Sequence, residues 1–218
     1  MQPANKTNFA ENLKPMDYTP DQIKRPDLTH EIHPVLASRW SPRAYSDQPV
    51  EKEKLQRVVE AARWAPSSRN LQPWSFLFGF QGDTVYDTIY SSMAEFNRLW
   101  VKTAPVLALA IGITYDEQGN PNNSYLYDLG QAVTMLTMQA ASEGLYVHQI
   151  GGFDHDTVSK ELAIPLNHKV VVAFTVGYRG NPEVLHPNLL KLELSPRIRK
   201  PLDEFVFDGN FGNKASFL

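Results

Sequence analysis

The sequence predicts an α+β domain, mainly because it contains three apolar runs of strand length. These runs are WSFLFGF (74–80), PVLALAIGI (105–113) and KVVVAFTVGY (169–178). The last two are apolar without alternation, which is typical of strands buried on both faces of a sheet. Segments with helical periodicity separate the runs, so we expect helices to cover a central sheet.

The two ends of the chain differ from this pattern. Residues 1–30 contain scattered proline, asparagine and charged residues without periodicity, and we expect an N-terminal extension in extended or partly ordered form. Residues 31–218 are then expected to form a single domain. The residues after 178 are polar and proline-rich except for one apolar patch at 201–212, which predicts a C-terminal arm that covers a partner surface.

Helical spacing of apolar residues places the predicted helices. A short helix is expected around residues 30–38, followed by longer ones at 51–64, 83–104, 127–145 and 155–164. Two apolar stripes mark the helices at 51–64 and 127–145: Leu55, Val58, Val59 and Ala62 in one, and Leu129, Val133, Leu136 and Ala140 in the other. Pro66 ends the first of these two helices, and Gly144 is placed to cap the second. A strand-like segment, 146–150, follows that cap.

Composition limits the chemistry. The chain has 21 Lys and Arg against 24 Asp and Glu, a net charge of −3, so neither nucleic acid nor an anionic membrane is an expected partner. The absence of cysteine excludes disulfides, thiolate nucleophiles, zinc–thiolate sites and iron–sulfur clusters. The 6 histidines lack ligand spacing, so no metal site is predicted. No signal peptide or membrane-spanning run is found, and a cytoplasmic location is expected.

Two short basic clusters are candidates for binding an anion. One comprises Arg39, Ser41 and Arg43, and the other Arg197, Arg199 and Lys200. Guanidinium groups suit phosphate because they donate to its oxygens in pairs. Taken singly, each cluster is better explained as a solvated surface loop. The two clusters bind one phosphate only if the fold brings them together.

Two further motifs carry an unusual density of hydrogen-bonding groups. In PSSRNLQPW (66–74), the two serines suit an exit turn, whereas Asn70 and Gln72 offer the paired donors and acceptors that match the pyrimidine edge of a flavin. In IGGF (150–153), the glycines indicate either a turn or the close approach of a flat ligand. His148 and His155 flank these glycines, and we interpret them as loop or core residues. The P-loop, the G-x-S-x-G elbow and the G-x-G-x-x-G fingerprint are all absent.

Taken in their order along the chain, the two basic clusters and the two motifs resemble the nitroreductase family of FMN-dependent reductases. The family pattern Arg-x-Ser-x-Arg corresponds to residues 39–43, and Ala-Pro-Ser-Ser-x-Asn-x-Gln-Pro-Trp to residues 65–74. An Ile-x-Gly-Phe-Asp-like stretch corresponds to residues 150–154. A basic pair followed by Pro-Leu-x-Glu corresponds to residues 197–204. The resemblance therefore spans about residues 30–210.

The resemblance implies a three-layer sandwich, in which helices flank a central, mostly antiparallel sheet, and an intertwined homodimer with FMN at the subunit interface. It also implies which residues bind FMN. The phosphate and ribityl chain would be held by Arg39, Ser41, Arg43 and Arg199, with help from Arg197 and the backbone of Trp40. The other subunit would contribute Pro66, Ser67, Ser68 and Asn70 to the flavin. The isoalloxazine ring would lie against Ile150, Gly151 and Gly152.

The implied activity is ping-pong transfer of a hydride from NAD(P)H, through FMN, to a nitroaromatic, a quinone or a similar acceptor. The flavin carries the chemistry, so no catalytic side chain is expected. Some members place a further Asn and Lys against the flavin, for which Asn97, Arg98 and Lys102 are the candidates. Two alternatives stay open: other flavin chemistry on the same fold, such as dehalogenation or flavin cleavage, and a non-catalytic FMN-binding protein.

Overall fold

The computed structural model describes residues 20–116 and 118–218. They form two compact units: one runs from Leu28 to Glu193, and the other comprises residues 20–27 and Leu194–Leu218. Most of the predicted N-terminal extension, residues 1–19, lies outside the described residues. The described part contains one short helix, and the division of the chain at residue 30 stays a prediction.

Eight helices and four strands follow one another in the described chain. In order they are α1 (Pro20–Ile23), α2 (Pro34–Ser38), α3 (Lys52–Arg63), β1 (Trp74–Phe80), α4 (Thr84–Ser92), α5 (Glu95–Val101), β2 (Val106–Ile113), α6 (Tyr125–Ser142), β3 (Tyr146–Ile150), α7 (His155–Glu161), β4 (His168–Gly177) and α8 (Pro187–Glu193). The three predicted strands are thus present within one residue of their predicted ends, and the strand-like segment after Gly144 is β3. Across the described residues, no helix combines the length and the apolar character that a membrane crossing requires.

The four strands form one antiparallel sheet in the order β1-β2-β4-β3. The edge strands are therefore β1 and β3, and the central strands β2 and β4 are the two apolar runs without alternation. Because β1 begins opposite the end of β2, while β3 runs towards the beginning of β4 and ends opposite Ala173, the segments before β1 and after β3 lead towards the same end of the sheet. They emerge, however, from its opposite edges.

Helices cover both faces of the sheet, which confirms the predicted three-layer α+β architecture. From β2, Leu107, Leu109 and Ile111 contribute to the core that includes residues of α4, α5 and α7. The alternate positions of β2, which include Ala108 and Ala110, contribute to the core formed with α3 and α6. The alternation follows from the two-residue period of a strand. Small residues on the second face leave room for α6 to pack closely against the sheet.

One helix prediction was wrong. The segment 83–104 forms two helices, α4 and α5, because the chain changes direction at Met93 and Ala94. Met93 pairs with Phe153 in an isolated bridge, and the Ala94 N–H donates to the Gly152 carbonyl at 3.0 Å. A loop distant in sequence therefore competes with the helical hydrogen bonds.

Val59, expected in the buried stripe of α3, is instead partly exposed.

The core predicts a clear difference between two phenylalanines. Phe174 in β4 is fully buried and makes edge-to-face contacts with Phe76 and Phe78, at centroid distances of 6.3 and 5.9 Å. We expect Phe174→Ala to lower the free energy of unfolding by about 3–5 kcal/mol, because it removes buried area and leaves a cavity. Phe80→Ala, at a half-exposed position of β1, should cost less than about 1.5 kcal/mol. Urea unfolding followed by circular dichroism measures both, and equal losses would contradict this packing.

Candidate functional site

The first part of the candidate site is the arginine loop, defined as Arg39–Arg43, which follows α2 and contacts β3. Within it, Arg39 Nη1 lies 3.4 Å from Ser41 Oγ, to which it donates. The Trp40 ring is buried, edge-on to Tyr146 of β3 with a centroid distance of 6.0 Å. Because the core holds this ring, Trp40 can offer a ligand little besides its backbone.

A buried carboxylate holds the end of the arginine loop. Glu193, only 1% exposed, accepts the Arg43 N–H at 3.0 Å on each oxygen and the Ala44 N–H at 3.2 Å. These donors compensate for the burial of the charge. The Arg43 Nε is itself buried and has no hydrogen-bond acceptor among the described residues. Burial lowers the pKa of Arg43, and the charge of Glu193 opposes this effect.

The second part is the glycine turn, defined as Gly151–Gly152, which directly follows β3. The Gly152 carbonyl accepts from Asn97 Nδ2 at 2.9 Å and from the Ala94 N–H at 3.0 Å. The N–H groups of the two glycines have no acceptor within the described part of the chain. A Cβ atom built on Gly151 meets nothing within 4 Å. The packing of this chain therefore does not require glycine at position 151, and the space beside it is open.

The third part is the strained turn, defined as Ser67–Gln72, which connects α3 to β1. Three of its residues have left-handed backbone: Arg69 at φ 52°, Asn70 at φ 57° and Gln72 at φ 48°. A residue with a side chain rarely adopts this conformation, and such strain is often concentrated at functional sites. Clustering of three non-glycine residues in this state is the most unusual backbone feature of the described chain.

The hydrogen bonds of the strained turn account for some of its polar groups and not for others. Ser67 Oγ accepts from the Gln72 N–H at 3.0 Å, and Gln72 Nε2 donates to the Asn70 carbonyl at 3.2 Å. The Ser68 N–H donates to Asp128, a buried residue of α6, at 3.1 Å. The side chains of Ser68 and Asn70 are exposed and make no hydrogen bond to any described residue. The turn is therefore anchored from inside and presents these two polar groups outward, beside the exposed Pro66.

The sheet places these parts at two separate edges. The arginine loop and the glycine turn adjoin β3, and together with Ile150 we call them the β3-edge half. The strained turn, with Pro66 before it, leads into β1, and we call it the β1-edge half. Neighbouring strands lie about 4.8 Å apart, so the edge strands of this four-stranded sheet are separated by roughly 14 Å.

The remaining predicted residues belong to the terminal unit and to α5 with the residue that follows it. Arg197 and Arg199 belong to the terminal unit, where the exposed Arg199 donates to the Ile198 carbonyl at 2.8 Å. Their role at a phosphate stays a prediction. Of the three further candidates, Asn97 contacts the glycine turn, whereas Arg98 and Lys102 are exposed at the surface of α5 and its C-terminal end.

Two residues that anchor parts of the candidate site, Asp128 and Glu193, were not predicted from the sequence. Both are acids in amphipathic helices, where an acid normally indicates the solvated face, yet they are 2% and 1% exposed. The only signal in the sequence is the proximity of each acid to a buried apolar residue: Leu129 follows Asp128, and Leu189 lies one helical turn before Glu193. That signal is too common to distinguish a buried acid from a surface one.

The chain is similar to known proteins over most of its length. Residues 36–87 and 80–178 match the sequence model of the nitroreductase family. A 4-nitrobenzoate reductase from Nocardioides sp. (strain LMS-CY) is 25% identical over an alignment of 241 residues. The alignment covers 86% of this chain and 95% of that protein.

Solved structures agree with this assignment. An oxidoreductase containing FMN superimposes with a TM-score of 0.79 at 32% identity, covering 86% of this chain and 96% of the other. A protein from Desulfovibrio desulfuricans, solved in complex with FMN, superimposes with a TM-score of 0.67 at 24% identity, covering 83% and 99%, which shows the shared fold alone. The family match covers more than half of the sequence, and the ordered motifs and the three-layer fold agree with it, so the chain belongs to the nitroreductase family.

Proposed function

We propose that this protein is an FMN-dependent oxidoreductase that transfers a hydride from NAD(P)H to a small acceptor, such as a nitroaromatic or a quinone. Family membership, the nitrobenzoate reductase and the FMN-containing oxidoreductase support the proposal. The observation that carries it is the glycine turn, with two consecutive N–H donors that lack an acceptor in the described chain and open space beside Gly151.

The arginine loop fits the phosphate of FMN. Arg39, Ser41 and Arg43 supply several donors. The buried Arg43 Nε has no acceptor among the described residues, and a phosphate oxygen would provide one. Bonds between guanidinium and phosphate are charge-assisted and are stronger than neutral ones. In this proposal, Arg197 and Arg199 complete the binding of the phosphate and the ribityl chain, and Trp40 contributes its backbone.

The glycine turn fits the flavin ring. Side chains larger than hydrogen at position 151 would occupy the open space, so glycine there permits a flat ring to approach the backbone. Ile150 and Gly152 would continue this surface, and the N–H groups would stabilise negative charge on a ring nitrogen. When bound, FMN would supply the hydride chemistry between NAD(P)H and the acceptor. The chain binds the cofactor and orients it.

The β1-edge half completes the site from the partner subunit of a homodimer. Pro66, Ser67, Ser68 and Asn70 belong to it, and the exposed groups of Ser68 and Asn70 can bond the polar edge of the ring. A single sheet keeps this half at the edge opposite the glycine turn. In a twofold dimer, each half of one subunit can meet the other half of its partner, which forms two equivalent sites.

An apolar surface supports the homodimer. On α2 and α6, which pack against each other, four apolar side chains are exposed by 40–75%: Leu36, Leu126, Tyr127 and Met135. An exposed apolar patch of this kind commonly marks an interface between proteins. We propose that the patch is covered by the second copy.

The spectrum of the purified protein tests the proposed function directly. We expect a yellow protein with bound FMN, bleached by NADH or NADPH without oxygen and recoloured by a nitroaromatic such as 4-nitrobenzoate. A yellow protein that neither nicotinamide bleaches would favour the non-catalytic alternative. A protein that is colourless and does not take up added FMN would contradict the proposal.

Removal of one guanidinium tests the phosphate assignment. Arg43→Ala should raise the Kd for FMN about 10- to 150-fold, because one charge-assisted hydrogen bond contributes roughly 1.5–3 kcal/mol. Arg57→Ala is the matched control, since Arg57 pairs with Glu143 on the surface, at 2.6 Å. FMN titration by fluorescence quenching measures both, and equal affinities of the two variants would refute the assignment.

A charge in the apolar surface tests the dimer. Met135→Glu should give monomers in sedimentation experiments, together with weaker FMN binding, because the interface would bury an unpaired charge. Leu166→Glu, at a fully exposed loop position, should leave both properties unchanged. If Met135→Glu retains dimers and full FMN occupancy, the interface lies on another surface.

A further inference from the structure

A series of contacts that the proposed function does not use begins at the arginine loop. The Pro42 carbonyl lies 2.8 Å from Nδ1 of His148 in β3. The His148 ring in turn stacks on the Trp100 ring of α5, with a centroid distance of 4.5 Å and an interplanar angle of 29°. One imidazole therefore connects the arginine loop to Trp100, a buried residue of α5.

The same series continues from α5 to the glycine turn. Trp100 Nε1 donates to Asn97 Oδ1 at 3.3 Å, and Asn97 Nδ2 donates to the Gly152 carbonyl at 2.9 Å. Four consecutive contacts therefore connect the arginine loop to the glycine turn without interruption. We call this set of three side chains, His148, Trp100 and Asn97, the bridging set.

The chemistry of His148 fixes its role at the start of the set. A carbonyl only accepts, so Nδ1 must carry the proton in its bond to Pro42. Burial lowers the pKa of His148 to about 4, the bond to Pro42 opposes this shift, and the charges of Arg43 and Arg39 add to it. The ring is therefore neutral at pH 7 and held in a single tautomer. An apolar side chain could stack on Trp100 but could not bond the loop.

At the other end of the set, Asn97 holds one peptide of the glycine turn. Both ends of its amide are used, because Oδ1 accepts from Trp100 while Nδ2 donates to Gly152. The Ala94 N–H also donates to the Gly152 carbonyl, so two donors fix that oxygen. A Cβ atom on Gly152 would lie 2.8 Å from Asn97 Nδ2, which shows how closely the turn approaches this amide.

We infer that His148 is a positioning residue that couples the arginine loop to the glycine turn through Trp100 and Asn97. The inference rests on the proposed function, in which the loop binds the phosphate and the turn lies against the ring of the same FMN. Binding of the phosphate then restrains the loop, and the bridging set transmits that restraint to the peptide beside the ring. His148 does not touch the cofactor in this role and transfers no proton.

Two conservative variants interrupt the set at different contacts. His148→Phe keeps a ring on Trp100 and removes the donor to Pro42, whereas Trp100→Phe keeps the stacking and removes the donor to Asn97. Each should change the ratio of the affinities for oxidised and reduced FMN about tenfold, a shift of about 30 mV in the two-electron midpoint potential. The double variant should show the shift of one single variant, because both substitutions interrupt the same route.

Tyr86→Phe is the matched control, since its hydroxyl also donates to backbone carbonyls beside α5, those of Val101 at 3.1 Å and Ala104 at 3.0 Å. It should lower the Tm of the apoprotein to a similar extent and leave the potential unchanged. If His148→Phe does not fold, Trp100→Phe alone must show the shift.

Three results would overturn the inference. The midpoint potential could stay unchanged in both variants while FMN still binds, the two shifts could add in the double variant, or Tyr86→Phe could shift the potential equally. Wild-type protein that binds no FMN would refute the proposed function itself. That outcome is recognised before any variant is compared.

Discussion

The width of the antiparallel sheet is the constraint on which the rest of this structure depends. Because β1 and β3 are its opposite edges, roughly 14 Å apart, the strained turn and the glycine turn adjoin different edges of the sheet. In the homodimer that we propose, a second copy of the chain would remove this separation without any change in the fold. In that proposed dimer, the apolar surface of α2 and α6 would form the interface, and each half of the candidate site would meet the half that it lacks.

Buried carboxylates stabilise the two halves of the site. Asp128 accepts a backbone N–H of the strained turn, and Glu193 accepts two from the arginine loop and the residue after it. Left-handed backbone at a residue with a side chain costs of order 1–3 kcal/mol, and it persists only where surrounding contacts determine it. Anchors of this kind allow irregular segments to hold one conformation while their outward groups stay available to a ligand.

Much of this fold could be predicted from the sequence, because apolar runs and helical periodicity are local signals. The break between α4 and α5 could not, since it depends on contacts with the distant segment 152–154. The left-handed backbone at Arg69 and Asn70 was also beyond prediction, because neither residue is glycine. The motifs identified candidate segments, but their positions beside the two edge strands became apparent only from the strand order. The burial of Asp128 and Glu193 likewise required the packed structure.

Complementation between two defective chains is the most direct test of a site divided between subunits. Gly151→Leu fills the open space of the β3-edge half, and Ser68→Trp obstructs the β1-edge half, so neither homodimer should bind FMN. When the two chains are unfolded and refolded together, half of the dimers are mixed, and each mixed dimer has one intact site. We therefore expect about one quarter of the wild-type FMN capacity to return. No recovery, in mixtures shown to contain mixed dimers, would contradict it.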